Sequence, residues 1–500
     1  MDGASECQLL MPTLNTETTH MRYIKHFSGG RAGRMRLTGL TVLATALACN
    51  SEKFLQVTDP DVAKPGDLQG AVALPTLRAG AIGNFGVAYN SGVADVEQVH
   101  LSALLSDEFI NTETFPTRIE IDQRAISTTN TSLSNTGQGG TFFDLTRARA
   151  SSELAINTYK ASAKTTADST GYPEVLSLNG LTYVFFAENY CGAVPVSTQA
   201  ADGSFTFGAP ESTNTLLDSA VSKFNQALAV TGAPLTATFK NLASVGKGRA
   251  LLDKGDYAGA AAAVTAVPTT FQYNYLHSET TTRQNNGTWS LTQNVGRFGE
   301  ADKEAGIGLP FASDGDLKRA GGVIDPRVAD SLARRGSSGS ARGFDGSTIQ
   351  MVQAKYPARS SPITVADGVE ARLIEAEAAF NAGDPVSALT ILNALRSNTA
   401  LLSLRGYAAN SLPPLTLQPT TAGQVDQLFH ERAYWMYLTS HRLGDLRRLI
   451  RQYLRDVNTV FPNGAYFKGG TYGTDVNVPV PQQEQNNPNY TPGSCKQNVA

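Results

Sequence analysis

One spacing of small residues occurs twice in this chain and limits how it can fold. In the segments 247–264 and 374–392, a small residue precedes a Gly-Asp pair by seven positions and an alanine follows the glycine by five. The residues are Gly248, Gly255 and Ala260 in the first segment, and Ala376, Gly383 and Ala388 in the second. A small residue lets two helices approach closely, and a glycine suits the end of a helix. The spacing therefore predicts two helix-turn-helix hairpins.

Other segments also have the apolar periodicity of helices. Residues 96–110, 142–160 and 178–190 place apolar side chains at helical intervals. The hairpins are similar to tetratricopeptide helix pairs. Between the two hairpins, residues 270–357 are polar and long for a loop, and the Gly/Ser/Arg-rich part at 334–346 is typical of a flexible segment. We expect a mostly α fold with tetratricopeptide-like helix pairs and long irregular loops.

A basic region and a short apolar run stand near the beginning of the sequence. Five cations between Arg22 and Arg36 precede the apolar residues 37–48, which end in Ala-Leu-Ala. This order describes a secretory signal peptide, so residues 1–48 are expected to be one, with Met21 or Met35 as the alternative start. A buried N-terminal helix is the other interpretation, but nothing in the sequence caps or continues one.

The residue after this run, Cys49, is expected to be lipidated. Its surroundings resemble a bacterial lipobox, in which the cysteine becomes the new N-terminus; Ala46 stands where that pattern usually has leucine. Residues 49–66 would form a lipidated tether, and acyl chains would hold the protein at a membrane. Without residues 1–48 the chain has 36 cations and 41 anions, so its net charge would be −5.

Two further cysteines follow, Cys191 and Cys495. In an exported protein such a pair indicates either a disulfide or two buried thiols. The net charge of −3 gives no basic footprint for nucleic acid. No apolar stretch reaches the roughly 20 residues of a membrane-spanning helix.

No segment has the spacing of a catalytic or metal site. His430-Glu431 is followed by Tyr434 where a zinc-binding motif has its second histidine, and Asn241 replaces the first glycine of a phosphate loop. We therefore expect no enzyme activity, no cofactor and no metal. A hydrolase with a pair of carboxylates that meet only in space stays open.

The segment 430–451 has the most regular pattern in the chain. Asp445 lies three residues from both Arg442 and Arg448, which is the spacing of ion pairs along a helix. From the residues alone, this segment is predicted to be a buried amphipathic helix with a polar seam.

Five segments resemble motifs of the RagB/SusD family, and they occur in the family's order. They are FLQVTDP at 54–60, NYCGAVPVS at 189–197, the second hairpin extended to 369–398, FHERAYWMYLTSHRLGDLRRL at 429–449, and VPVPQQEQNNPNY at 478–490. The resemblance spans the chain from Cys49 to Tyr490. It implies a SusD-like α-α superhelix, with an N-terminal helical part at 67–212. Residues 213–500 would hold the tetratricopeptide-like helices, a ligand-loop insertion and the C-terminal RagB/SusD part.

The resemblance also implies a function. Members of this family are surface-exposed, lipid-anchored proteins of the outer membrane that capture a nutrient without catalysis. The nutrient is more often an oligosaccharide than a peptide. They act as a lid over a SusC-like TonB-dependent transporter, which would be the partner of this chain. The alternative is a secreted helical-repeat scaffold that binds only a protein partner.

Sugar recognition needs aromatic faces for the apolar side of a pyranose, together with amide, carboxylate and guanidinium groups for its hydroxyls. The segment 271–289 is rich in both kinds of side chain. The expected ligand-binding residues are Tyr273, Tyr275, Arg283, Asn285, Asn286 and Trp289. In the family, loops of the N-terminal half also contribute, which here suggests Tyr89, Asn90, Asn111 or Phe115. Ordinary loop packing is the alternative explanation for each of them.

Overall fold

The computed structural model describes residues 70–92, 96–106, 108–134, 139–199, 204–230, 236–300, 302, 309–317, 324–332 and 341–500. All of them belong to the unit that runs from Lys64 to Ala500. The expected signal peptide, the lipidation site Cys49 and the expected tether lie outside the described residues.

Helices make up most of the regular structure, as the sequence predicts. The described residues contain α1 (Leu74–Asn90), α2 (Gln98–Leu105), α3 (Pro116–Asp122), α4 (Thr141–Ser162), α5 (Tyr172–Asn189), α6 (Thr213–Leu228), α7 (Ala237–Asp253), α8 (Tyr257–Val264), α9 (Gly287–Trp289), α10 (Phe311–Gly315), α11 (Gly368–Asn381), α12 (Pro385–Ser397), α13 (Thr399–Leu404), α14 (Thr421–Trp435), α15 (Arg442–Arg451) and α16 (Val457–Val460). None of these helices is long and apolar enough to cross a membrane.

The strands are short and pair in twos. They are β1 (Phe109–Asn111), β2 (Val194–Pro195), β3 (Thr198–Gln199), β4 (Phe205–Thr206), β5 (Pro210–Glu211), β6 (Gln272–Tyr275), β7 (Phe298–Glu300), β8 (Asp330–Leu332), β9 (Met351–Gln353) and β10 (Ile363–Asp367). The antiparallel pairs are β1 with β7, β2 with β5, β3 with β4, β6 with β10, and β8 with β9. The pair β1–β7 joins the N-terminal part of the described chain to the long region between the two hairpins, whereas β6–β10 and β8–β9 both form between the hairpins.

Short polar side chains begin many of the helices, because they accept a hydrogen bond from a backbone N–H that has no partner within the helix. The capping residues include Ser212, Thr236, Asp256, Asp367, Asp384, Asn398 and Thr420. Helix α6 begins at Thr213, the first residue of the part that we expect at 213–500, and the boundary itself stays a prediction.

Both predicted hairpins form. Gly255 separates α7 from α8 with φ of 79°, and Gly383 separates α11 from α12 with φ of 85°. This left-handed conformation favours glycine. A Cβ on Gly248 would lie 2.5 Å from Cγ1 of Val264 and 3.2 Å from Cδ1 of Ile374. The small residue thus lets α8 pack closely on α7, and the first hairpin contact the second, although they lie far apart in sequence.

The core continues from the hairpins into the N-terminal helices. A Cβ on Gly246 of α7 would lie 2.4 Å from the ring of Phe224 on α6, and one on Gly180 of α5 would lie 2.9 Å from it. Two glycines on facing helices therefore make room for one buried ring. Helix α5 is buried from Pro173 to Asn189, which places it at the centre of this part of the fold.

The single helix predicted for 430–451 is wrong, because the structure has two helices there. Helix α14 ends at Trp435 and α15 begins at Arg442. Between them Leu438 and Ser440 have φ of 52° and 60°, a left-handed conformation that a continuous α-helix does not contain. The expectation of a buried segment is correct, since residues 431–449 are buried.

The predicted ion pair of Asp445 with Arg448 forms, and Asp445 also pairs with an arginine that the prediction did not include. Asp445 accepts hydrogen bonds from Arg448 at 2.7 Å and from Arg432 of α14 at 2.9 Å and 3.0 Å. The break between the helices folds α15 back, so Asp445 is bonded across two helices as well as along one.

Cys191 and Cys495 form a disulfide, with their Cα atoms 5.2 Å apart and a separation of 304 positions in sequence. Cys191 lies just after α5 and is fully buried. Its backbone N–H donates to the carbonyl of Val478 at 2.9 Å. The bond therefore holds the C-terminal segment against the end of the central helix.

Candidate ligand-binding surface

The segment expected to bind the ligand packs against the C-terminal end of α1. Ser91 and Asn286 form an antiparallel bridge, and the hydroxyl of Ser91 donates to the carbonyl of Arg283 at 3.0 Å. The backbone N–H of Thr288 donates to Oδ1 of Asn90 at 3.0 Å. The polar residues at the end of α1 thus hold the segment in place. Asn90 takes part through its side-chain oxygen, which accepts this hydrogen bond.

Tyr89 is part of the core, so the expectation that it contacts a ligand is wrong. Its side chain is fully buried, and its ring stacks on Phe185 with centroids 5.5 Å apart. Its hydroxyl donates to the carbonyls of Thr364 and Thr439, both at 3.0 Å. Helix α1 continues to Asn90, which carries Tyr89 into the helical core instead of onto a loop.

Asn111 and Asn286 are also fully buried. Oδ1 of Asn286 accepts from the backbone N–H of Trp289 at 2.9 Å, and its Nδ2 donates to the carbonyl of Ser361 at 3.0 Å. Oδ1 of Asn111 accepts from the backbone N–H of Glu113 at 2.9 Å. Both amides support loops from within, so neither presents its side chain to a ligand as the sequence suggested.

Tyr273 and Tyr275 are half-buried. The hydroxyl of Tyr273 donates to Oε1 of Glu174 at 2.7 Å. Burial, reinforced by this carboxylate, raises the pKa of Tyr273. A Cβ on Gly86 would lie 1.8 Å from the ring of Tyr275. The ring of Tyr275 therefore packs directly against the backbone of α1. One face or edge of each tyrosine ring contacts the rest of the protein.

Arg283, Asn285 and Trp289 keep accessible surface. Arg283 is exposed, and its Nη2 donates to Oδ1 of Asn84 at 3.1 Å. The half-buried ring of Trp289 has the guanidinium of Arg359 at 5.1 Å from its centroid. Asn285 is half-buried, and in the orientation that satisfies its neighbours its amide donates to two carbonyls of the same segment.

A second cluster of exposed aromatic rings lies on three loops. Phe115, Phe344 and Phe467 are 46%, 52% and 46% exposed. The guanidinium of Arg297 is 4.7 Å from the ring centroid of Phe115 and 4.6 Å from that of Phe344. Nζ of Lys468 is 5.7 Å from the ring centroid of Phe467. We call these five residues the aromatic platform.

Buried and half-buried polar groups bind the two cations of the aromatic platform. The fully buried carboxylate of Glu113 accepts from Arg118 at 2.9 Å and also pairs with Arg297. Nζ of Lys468 donates to the carbonyl of Glu113 at 2.7 Å and to Oδ2 of Asp345 at 2.6 Å. The two cations of the platform are therefore fixed by protein groups.

The carboxylate of Asp345 is held in its charged form. Burial opposes its ionisation, but hydrogen bonds from Lys468 and Thr348 outweigh burial and lower the pKa of Asp345 below its ordinary value. A carboxylate held in this way is an acceptor and not a proton donor. Glu113 forms ion pairs with two arginines. The arrangement can therefore bind and orient a polar molecule, and its carboxylates are not placed as an acid-base pair.

Backbone hydrogen bonds join the loops that carry these residues. The N–H of Thr112 donates to the carbonyl of Arg297 at 2.8 Å, and its own carbonyl accepts from Asp345 at 2.9 Å. The N–H of Phe344 donates to the carbonyl of Gly296 at 2.7 Å. Gly343 is required here, because a Cβ would lie 2.3 Å from Cβ of Thr112. The platform is thus preformed by the fold.

Sequence reasoning named only Phe115 of the aromatic platform. Residues 334–346 looked merely flexible, but their described part, from Ala341 to Gly346, forms a turn that presents Phe344. Asp345 followed by glycine is a turn signal, and an aromatic residue beside such a turn was the available clue. Within the described residues, no group of three or more His, Cys, Asp or Glu side chains could hold a metal ion.

The sequence of this chain matches no protein-family model and no curated protein. Its structure matches solved structures over most of its length. A SusD superfamily protein from Bacteroides vulgatus shares 17% identity and a TM-score of 0.54, with 84% of this chain and 98% of that chain covered. A SusD superfamily protein from Bacteroides fragilis shares 13% identity and a TM-score of 0.55, with 82% and 97% covered.

A third structure, described as a SusD-like carbohydrate binding protein from Bacteroides fragilis, shares 15% identity with this chain. The TM-score is 0.56, and 82% of this chain and 98% of that chain are covered. At identities this low, the similarity concerns the fold. It confirms the fold class that the sequence motifs imply.

Proposed function

We propose that this chain, whose fold is that of the SusD superfamily, captures an oligosaccharide as a non-catalytic binding protein. The aromatic platform carries the proposal. Three phenylalanines that expose about half of their surface offer flat apolar faces to sugar rings, and Arg297 and Lys468 offer donors to hydroxyl groups. A carbohydrate-binding protein among the structures that share the fold supports the choice of ligand class.

The segment 271–289 would supply further contacts. Trp289, Arg283 and Asn285 retain accessible surface, and Tyr273 and Tyr275 lie half-buried beside them. The helical turn from Trp289 to Asn294 and the next three residues connect this segment to Arg297 of the platform. A ligand longer than one sugar ring could therefore contact both places. This favours an oligosaccharide over a monosaccharide.

Two arguments favour capture over hydrolysis or a purely structural role. The carboxylates beside the platform, Glu113 and Asp345, are bonded to cations, whereas a glycosidase needs one carboxyl group that carries a proton. A scaffold that binds only a protein partner would not require exposed rings held in place by arginine. The preformed platform instead fits a ligand whose rings stack on it.

The proposed cellular role rests on two resemblances, that of the leader to a lipobox and that of the chain to the RagB/SusD family. We propose that Cys49 is lipidated, that the protein lies on the surface of the outer membrane, and that it acts as a lid over a SusC-like TonB-dependent transporter. In cells, a Cys49→Ala variant would then leave the membrane fraction. Co-purification of the transporter with the wild-type chain would support the partnership, and an unchanged membrane fraction for the variant would refute the anchor.

Glycan binding by the purified chain tests the proposed function directly. The wild type should bind at least one oligosaccharide of a glycan library saturably and release no shorter product. Phe344→Ala should weaken that binding about tenfold or more, because it removes one stacking face worth about 1–2 kcal/mol. Trp289→Ala tests the contribution of the second segment.

Phe207 offers a matched control, since it is 51% exposed and lies outside the platform. Phe207→Ala should bind the glycan like the wild type. Equal binding by Phe344→Ala and Phe207→Ala would remove the platform from the proposal. Binding of no glycan would favour the protein-partner scaffold, and release of shorter sugars would refute the non-catalytic role.

A further inference from the structure

A cavity of about 340 Å³ lies between the N-terminus of α6, helix α15 and the C-terminal segment. It is on a different part of the chain from the aromatic platform and from the segment 271–289. Its polar lining residues include Ser212, Thr213, Asn214, Arg447, Arg451 and Lys496. No acidic side chain lines it, although it contains three cationic side chains. Ala500, the last residue of the sequence, also lines it, and its terminal carboxylate forms no ion pair with these cations within the described residues.

Arg447 is 1% exposed and has unused hydrogen-bond donors. Its Nη1 donates to the carbonyls of Ala187, Glu188 and Tyr190 at 2.8 Å, 2.5 Å and 3.3 Å. Within the described part of the chain, Nε is buried without an acceptor and Nη2 donates no hydrogen bond. A buried guanidinium has five donors, and leaving several of them unpaired is costly.

Arg451 lies one helical turn after Arg447 and also faces the cavity. No carboxylate of the described residues pairs with either arginine. Nearby carboxylates are already used, because Glu188 makes two hydrogen bonds with Arg249, both at 2.6 Å, and Asp253 lies 3.4 Å from Nε of Arg448. The two cations therefore stand side by side, and within the described residues no carboxylate forms an ion pair with either of them.

The pKa of each arginine reflects this imbalance. Burial, reinforced by the charge of Arg451, lowers the pKa of Arg447 to about 9. Burial also lowers the pKa of Arg451, and the attraction of Asp253 does not compensate for it. An anion between the two guanidinium groups would supply the missing charge.

The N-terminus of α6 faces the same cavity. Ser212 caps this 16-residue helix by accepting from the N–H of Thr215 at 3.1 Å. The N–H groups of Thr213 and Asn214 have no acceptor within the helix, and the helix dipole places partial positive charge there. A Cβ on Gly192 would lie 3.0 Å from Oγ1 of Thr213, so glycine allows the chain after α5 to approach this helix end.

We propose that this cavity binds a tetrahedral oxyanion, either sulfate or phosphate. Two arginines of α15, the N-terminus of α6 and Lys496 of the C-terminal segment supply donors from three separate elements around the cavity. Several donors on different sides suit an anion with four oxygens better than a planar carboxylate. The cavity is larger than the bare ion, so a sulfate or phosphate ester of a small molecule also fits. The disulfide of Cys495 holds the neighbouring Lys496 at the rim.

Calorimetric titration of the full-length chain with sodium sulfate and sodium phosphate, at constant ionic strength with chloride, tests the proposal. The wild type should bind one of these ions saturably. Arg451→Gln should weaken binding at least tenfold. This variant is chosen because Arg451 makes no hydrogen bond or ion pair within the described structure that its loss would break, whereas Arg447 helps to hold the end of α5.

Lys240→Gln is the matched control, because it also removes one positive charge but lies exposed on α7 outside the cavity. It should bind like the wild type. Wild-type affinity in Arg451→Gln would overturn the proposal, and so would heats for sulfate and phosphate no different from those for chloride. Comparing inorganic sulfate with N-acetylglucosamine 6-sulfate and its unsulfated parent identifies the source of the ion. Phe344→Ala should leave this binding unchanged, which separates the site from glycan capture.

Discussion

His277 occupies the position where the segment 271–289 meets helix α1. Its Nδ1 is 3.2 Å from the carbonyl of Gln284, and its Nε2 is 3.4 Å from Nδ2 of Asn90. The carbonyl can only accept and the amide nitrogen can only donate, so the ring is neutral with its proton on Nδ1. A second proton on Nε2 would face the amide donor. One uncharged side chain thus connects the two parts of this surface.

This environment predicts a loss of stability at low pH. Burial lowers the pKa of His277 to about 4 from an ordinary value of 6.5, although the hydrogen bond with Gln284 favours the charged form. Between pH 6.5 and pH 4 the unfolded chain takes up a proton that the folded chain does not. The free energy of unfolding should therefore fall over this window, by roughly 1–3 kcal/mol from this group.

Urea unfolding at pH 7 and pH 4 measures the effect, with His277→Asn as the comparison. The variant should lose less stability than the wild type over the same interval, because its side chain at position 277 does not titrate between pH 7 and pH 4. An equal loss in both proteins would show that other residues cause the acid sensitivity.

At the scale of elements, glycines decide how closely the helices pack. Gly248 and Gly80 are both helical, but their surroundings differ. A Cβ on Gly248 would lie 2.5 Å from Val264 on the neighbouring helix, whereas a Cβ on Gly80 would have nothing within 4 Å. The first glycine is needed for contact between α7 and α8, and the second is not.

Alanine at these two positions should therefore have opposite effects. Gly248→Ala should destabilise the protein by about 1–3 kcal/mol, because the new methyl group forces α8 away from α7. Gly80→Ala should stabilise it by about 0.5–1 kcal/mol, since alanine is the better helix former. Thermal unfolding of the two variants beside the wild type is the measurement. Stabilisation by both substitutions would mean that α8 moves at little cost.

The elements also show where sequence reasoning succeeds. The small-residue spacing predicted both hairpins, because a glycine turn and a close helix contact are local requirements. The break at Leu438 and Ser440 was missed, since neither residue usually adopts the left-handed conformation that it has here. Tyr89 was taken for a loop residue because the family resemblance implies ligand contacts from loops of the N-terminal half, but helix α1 continues to Asn90.

At the scale of the whole molecule, the candidate surface could be predicted only in part. Phe115 and Phe467 are separated by 352 positions in sequence, and the loops that carry them meet through Lys468, which bonds to both Glu113 and Asp345. No short sequence pattern predicts a contact between two loops that are so far apart in sequence. The dense cluster at 271–289 was visible in the sequence, but which of its side chains face inwards depends on α1, against which it packs.

The disulfide links parts of the molecule that are equally distant in sequence, and its removal should lower stability. The double variant Cys191→Ala/Cys495→Ala should lose about 2–5 kcal/mol, because the unfolded chain regains the freedom that a 304-residue separation allows. Denaturant unfolding with and without reductant checks this. Reductant should destabilise the wild type and leave the double variant unchanged; the same response in both would contradict the prediction.

The same bond changes what a single proteolytic cut can do. Any cleavage between residues 191 and 495, including one in the exposed turn around Phe344, leaves two pieces joined through sulfur. The nicked protein would run as one species on a non-reducing gel and as two after reduction. Because residues on both sides of such a cut remain tethered, the two pieces could keep the fold after the backbone has been severed.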